Sequence, residues 1–284
     1  MAVVRQFDDV HDFGELAEPY WMRDEARHNL EIGICGRVAR EPHAYGDEPP
    51  YMAVVLDGER VTGAAIRTPP FNLLVSTRDV ESLDALAADV LGRFASLPGV
   101  MSDTATAPAF AARWQARAGQ APEVGMPQRI YRLSAQPEIP AVPGALRGAS
   151  AADRSLLIDW LDAFTAEALP DSPHTDTGEF VDARLRESEQ SIFLWEHGGP
   201  VSLGGVGGAT PNGSRVGPVY TPPELRNRGY ASACVATLSR RLLAEGKQFL
   251  FLFTDLRNPA SNHVYEKLGY EPVCDMQEIR FVPV

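Results

Sequence analysis

The segment PPELRNRGYASACVATLSRRLLAEG, Pro222 to Gly246, puts Arg226, Arg228 and Gly229 together just where an amphipathic helix begins. A helix start leaves four backbone N–H groups without intrahelical partners and carries the positive end of the helix dipole. A glycine at such a start lets the backbone wrap closely around a phosphate, and two guanidinium groups add charge without a metal. Val235, Leu238 and Leu242 fall on one face, where they would anchor the helix to a sheet. These residues read as a cradle for a pyrophosphate. Two other phosphate loops do not fit. A Walker loop needs Gly-Lys-Ser/Thr, and this turn has no lysine. The dinucleotide fingerprint needs GxGxxG between strand and helix, whereas GGVGGA from Gly204 to Ala209 lacks that spacing and falls in a hairpin. A second group, Asn258, Asn262 and Tyr265, is spaced four and three apart, hence on one helix face. Asn258 followed by Pro259 also forms a good cap and first-turn pair.

These groups need elements to hold them. The second half of the chain predicts helices over 151–169 and 177–187 and strands near 191–196, 201–209 and 214–221. A helix over 230–245, the strand QFLFLFTD, a helix from Asn258-Pro259 to Gly269 and a closing strand EIRFVPV follow. The first half has a similar outline. Hairpins turn at Asp57-Gly58 and at His197-Gly198-Gly199, and each is followed by a proline, another apolar strand and a helix. The expected fold is α/β of the α+β kind, a mixed central sheet flanked by helices, built twice by duplication. The proline-rich segment Ala135–Gly148 reads as a linker and divides the chain into domains 1–138 and 139–284.

The pattern R-x-x-G-x-A, here Arg226, Gly229 and Ala231, resembles the coenzyme A pyrophosphate loop of the GCN5-related N-acetyltransferases. The flanks extend the resemblance. RVGPVYTPPELRNRGYAS looks like the family's fourth strand running into that loop, and FLFTDLRNPASNHVYEKLGYEPV like its fifth strand and following helix. The resemblance covers residues 145–284; the first half looks like a worn copy, because VSTRDVESLD has no glycine loop and APAFAARWQARAG no equivalent Asn or Tyr.

The resemblance implies a catalytic second domain and a degenerate first one. It implies acetyl-CoA as co-substrate, no metal, and acetyl transfer to a primary amine by direct attack in a ternary complex. The acceptor would be a small-molecule amine or a peptide amine. Strand 214–221 would bulge and part from strand 248–255, leaving backbone groups of Val219, Tyr220 and Thr221 to bind the pantetheine arm, with the Val219 amide steadying the oxyanion. Arg226, Asn227, Arg228, Gly229, Tyr230, Ala231 and Ser232 would hold the diphosphate. Asn258, Asn262 and Tyr265 would face the coenzyme, with Tyr265 giving a proton to the departing thiolate. For the general base, Asp255, Glu224 and a water chain stay open; His174 and His263 read as surface or packing residues. The acceptor pocket is expected around Phe164 and Glu167. The competing reading is a non-catalytic module that binds coenzyme A or another protein.

Composition narrows the partners. The chain has 284 residues and a formal net charge of −12, so a broad nucleic-acid surface is not expected. Cys35, Cys234 and Cys274 lack metal-ligand spacing. No apolar run reaches the ~20 residues of a membrane span and MAVVRQFDDV has no signal-peptide pattern, so a cytoplasmic monomer or homodimer is expected.

Overall fold

The computed structural model describes residues 2–170, 176–186 and 191–283. It consists of two compact units, Met1–Ile130 with Val273–Val284, and Tyr131–Pro272.

In unit 1 the elements are β1 (Val3–Gln6), α1 (Val10–Trp21), α2 (Asn29–Arg40), β2 (Tyr51–Asp57), β3 (Arg60–Arg67), β4 (Leu73–Ser76), α3 (Val80–Arg93), β5 (Gly99–Asp103) and α4 (Thr106–Ala118), then β6 (Ala121–Leu133). The strands from β1 to β4 pair antiparallel, and β4 pairs parallel with β5, so the sheet is mixed. Successive residues of β2 go to opposite faces, as strand pleating requires. Tyr51, Ala53 and Val55 join a core with Leu86 of α3 and Phe110 and Trp114 of α4. Met52 and Val54 join one with Phe13 and Trp21 of α1.

Unit 2 repeats the order. It runs β7 (Ala145–Gly148), α5 (Arg154–Ala168), α6 (Thr177–Arg186), β8 (Ile192–Glu196), β9 (Pro200–Gly207), β10 (Gly213–Tyr220), α7 (Tyr230–Ala244), β11 (Phe249–Asp255) and α8 (Pro259–Lys267). Its sheet order is β11-β10-β9-β8-β7. Phe193 of β8 packs with Val235, Leu238 and Leu242 of α7, while its neighbours Ile192 and Leu194 pack with Leu157 and Leu161 of α5. The mixed α/β architecture and the duplication expected from the sequence are both present.

Two features differ from the linear reading. The closing strand, β12 (Glu271–Val282), begins earlier than EIRFVPV. It pairs antiparallel with β5, from Met276 against Asp103 to Arg280 against Gly99, and Ile279 and Phe281 enter the unit 1 core. The compact units therefore do not follow one another as 1–138 and 139–284. The proline-rich segment is also not wholly a free linker. Its end forms β7, the Trp195 indole donates to the Pro143 carbonyl at 3.0 Å, and Val142 and Leu146 pack against Trp195 and Tyr230. The apolar residues between the prolines supply that packing.

Candidate active site

The loop between β10 and α7 is held from three sides. A single 3-10 turn, Pro223–Leu225, leads to Asn227 and Gly229, both with positive φ (61° and 79°). A Cβ on Gly229 would lie 2.9 Å from Val142 Cγ2, so this close, left-handed position suits glycine. Gly229 is also the cap of α7, with no side-chain cap hydrogen bond and no acidic residue in the first turn. The first intrahelical bond runs from Ala233 N to Gly229 O at 3.0 Å. The amides of Tyr230, Ala231 and Ser232 therefore point out of the helix start, with its dipole behind them. Tyr230 can offer only this amide. Its ring is buried and its hydroxyl lies 2.8 Å from His197 Nδ1, a tie across 33 residues with no local sequence signal.

The two arginines diverge. Arg226 donates through Nε to the Thr221 carbonyl at 2.8 Å and through Nη2 to Glu167 Oε2 at 2.7 Å, over the Tyr220 ring. Arg228 is exposed, donates to the Glu224 carbonyl at 3.0 Å, and among the described residues has no ion-pair partner. Its charge is free for an anion, whereas that of Arg226 is shared with Glu167.

The strands before the loop part as expected. Parallel pairing of β10 with β11 runs only from Gly213–Phe249 to Arg215–Phe251, though both strands continue. The register of β10 against β9 shifts between Val216 and Val219, a bulge at Gly217-Pro218. The Tyr220 carbonyl accepts from Ser202 Oγ of β9 at 3.1 Å. Strand alternation then turns the Val219 amide to the opposite edge, toward the gap.

Across the gap, α8 starts at Asn258, whose Oδ1 accepts from Ser261 N at 3.1 Å, the capping role its sequence position suggested. Asn262 donates to the carbonyls of Asp255 (2.9 Å) and Asn258 (2.8 Å), and its Oδ1 accepts from the Tyr131 hydroxyl at 3.2 Å. These bonds fix the strand-to-helix corner and occupy the Asn262 amide. Tyr265 packs its ring near Tyr131 (6.5 Å) and Tyr270 (5.8 Å). Burial, with a smaller contribution from Cys234, pushes its hydroxyl up to about 12. It is protonated at neutral pH, and among the described residues that hydroxyl has no hydrogen-bond partner.

The candidate bases differ in setting. Burial opposes ionisation of Asp255, but bonds from the Arg257 side chain and amide hold its carboxyl below the usual range, which makes it a weak base. Glu224 and His263 are exposed, and His174 lies outside the described residues. Phe164 joins the α5–α6 core, while Glu167 is exposed and takes Arg226 and, at 3.4 Å, the Tyr220 hydroxyl. Among the described residues no group of three or more His, Cys, Asp or Glu is arranged to hold a metal ion, and no helix is long and apolar enough to cross a membrane.

An open helix start, parted strands and a protonated phenol on α8 are the features the GCN5-related resemblance implies; comparison with solved structures bears on the fold. The chain is similar over its whole length to a Drosophila protein (14% identity, TM-score 0.71, 99% of that chain covered). It is similar to a GCN5-related N-acetyltransferase from Sphaerobacter thermophilus (13% identity, TM-score 0.64, 100% of this chain and 96% of that one). A tandem GNAT protein from the clavulanic acid biosynthesis pathway, solved without AcCoA, matches at 14% identity and TM-score 0.60, over 99% of this chain and 98% of that one. At these identities the likeness is one of fold: this is the GCN5-related N-acetyltransferase fold, in tandem. Within it, residues 207–280, from β9 through α8 to the last strand, match the family model of FR47-like proteins. No curated protein matches the chain.

Proposed function

We propose that unit 2 is an acetyl-CoA-dependent N-acetyltransferase that acts on a primary amine, of a small molecule or a peptide, by direct attack within a ternary complex. The observation that carries this reading is the uncapped start of α7 with Arg228 free beside it. Acetyl-CoA supplies an activated acyl group and a thiolate leaving group. The residues of unit 2 then have separate tasks. The amides of Arg228, Gly229, Tyr230, Ala231 and Ser232, with Asn227 and the Arg228 guanidinium, bind the diphosphate. Arg226 holds the loop against Glu167 and adds charge at longer range. Backbone groups of Val219, Tyr220 and Thr221 hold the pantetheine arm as an extra strand would. Asn258 caps α8 beside that arm, and Asn262 holds the α8 corner in place. As the amine nitrogen bonds to the acyl carbon, the Val219 amide steadies the oxyanion. The carbon–sulfur bond breaks, Tyr265 gives its proton to sulfur, and the nitrogen loses a proton to water or a carboxylate. No metal has a task.

Unit 1 would be the degenerate partner and would not hold the coenzyme. The test measures thiol release from acetyl-CoA with a panel of primary amines, wild type against Tyr265→Phe. Turnover that depends on an amine and falls in the variant supports the enzyme. Tight coenzyme binding with no amine-dependent release favours a non-catalytic module instead.

A further inference from the structure

Unit 1 holds a buried positive charge that nothing above uses. Arg67 is the last residue of β3, pairs with Tyr51 at the start of β2, and is 8% exposed. After it the chain turns through Thr68-Pro69-Pro70, and the Phe71 carbonyl accepts from Arg67 Nε at 2.9 Å. The guanidinium lies 4.5 Å from the centre of the Phe94 ring, the residue that ends α3.

That leaves most of its donors unused, since a guanidinium carries five N–H groups. Nη1 and Nη2 have no acceptor among the described residues, and neither is sealed from solvent, unlike the Trp21 indole nitrogen. No carboxylate among the described residues stands in ion-pair range of Arg67. Burial lowers its pKa, and the exposed Glu48 opposes that only as a smaller influence. A buried charge normally has a partner in contact, because leaving water is costly. Buried donors without acceptors are rare in native structures, and an unsatisfied edge that still reaches solvent marks a place for an acceptor from outside. Arg93 stands at the same ring. Its guanidinium is 5.5 Å from the Phe94 centre, it is exposed, and among the described residues it has no ion-pair partner.

We infer that Arg67 binds the carboxylate of a small monocarboxylic acid, its two oxygens on Nη1 and Nη2, with Arg93 adding charge at the rim. The planar fork of a guanidinium matches a carboxylate in a bidentate pair. One buried cation balances one negative charge, and Glu48 disfavours a second, so a monoanion fits better than a phosphate dianion. The place is not a worn coenzyme seat. It lies where β3 turns toward β4 and α3 ends, whereas the turn at Asp79 follows the other end of β4 and starts α3. The inference uses unit 1 alone and stands or falls apart from acetyl transfer in unit 2.

The test titrates the full chain, carrying 4-fluorophenylalanine, with acetate, propionate and benzoate at constant ionic strength in sodium chloride. It follows the Phe94 fluorine signal, assigned through Phe94→Leu. Propionamide is the uncharged control and dibasic phosphate the dianion control. At least one carboxylate should shift the signal saturably, and both controls should bind about 10-fold more weakly or worse. Arg67→Lys keeps the charge but loses the fork, and should weaken binding by about 10-fold. Arg93→Gln should weaken it by about 2- to 4-fold. Arg93 is exposed, so that variant keeps the fold even if Arg67→Lys does not. The proposal is overturned if no carboxylate moves the Phe94 signal, if propionamide or phosphate binds as well as the carboxylate, or if either variant, folded, binds like wild type.

Discussion

Each unit runs a strand into a helix at the same point of its fold, β4 into α3 and β10 into α7, and the two helices begin with opposite electrostatics. At α3 the cap is Asp79, whose carboxylate accepts from the Ser82 amide and hydroxyl, both at 2.8 Å, with Glu81 in the first turn. At α7 the cap is Gly229, which has no side chain, and Ala231 stands where unit 1 has Glu81, while an arginine precedes both caps, Arg78 and Arg228. The strands also differ. Ser102 Oγ of β5 donates to the Val75 carbonyl of β4 at 2.5 Å, and Thr106 Oγ1 to the Thr77 carbonyl at 2.8 Å, so hydroxyls bridge the parting strands. Thr254, also one residue before its strand's final Asp, turns its hydroxyl to its own strand, 3.5 Å from the Asp255 carbonyl. Trp114, like Tyr265, lies six residues after a proline near its helix start, but it is fully buried and its N–H is taken by Gln120 at 2.9 Å. One architecture thus has a capped helix start, hydroxyl-bridged strands and a bonded indole in one copy, and in the other an uncapped helix start, parted strands and a phenol with no hydrogen-bond partner among the described residues.

That contrast can be broken most sharply at Tyr265. Tyr265→Phe should lower kcat by about 10²-fold or more with little change in acetyl-CoA affinity, by steady-state kinetics and calorimetry. An unchanged kcat would remove the chemical half of the comparison. Ala231→Glu gives α7 the first-turn carboxylate that α3 has in Glu81. Coenzyme affinity should fall by about 30-fold or more while circular dichroism stays native. Arg228→Ala should raise the KM for acetyl-CoA by about 5- to 10-fold, with a smaller loss at 0.5 M salt, since the charge lies in solvent. Asp79→Ala should cost about 1 kcal/mol of stability through the lost cap and leave coenzyme binding untouched. If that variant instead alters coenzyme affinity, the two helix starts are not independent. The smallest expected effect concerns pH. The Tyr265 pKa is raised to about 12 in the fold, from an ordinary value near ~10. It stays protonated up to about pH 10, so the kcat–pH profile should have no falling limb from this group below that. Its contribution to stability is full below the unfolded value and is lost as pH rises through the folded one.

Much of the second unit was legible because its signals are local. A glycine after two arginines, a proline-marked bulge and an Asn-Pro helix start each act within a few residues. Three features were not. The tie of Arg226 to Glu167 joins residues 59 apart, and no short pattern encodes it. EIRFVPV declares a strand but not its sheet, since an alternating apolar pattern fits either copy of a duplicated fold. The open guanidinium edge of unit 1 draws on Arg67, Phe71 and Phe94, each unremarkable alone. Asn262 shows a subtler limit: spacing placed it on the face with Asn258 and Tyr265, but nearby backbone carbonyls compete for its amide.

The place of β12 bears on how the protein is made. During synthesis the β5 edge of the first-formed half lacks the strand that pairs with it, because Val273–Val284 leaves the ribosome only after all of Tyr131–Pro272. The earlier half waits unfinished while the later half folds, its apolar Val100 edge open to chaperones or to the same edge of another nascent chain.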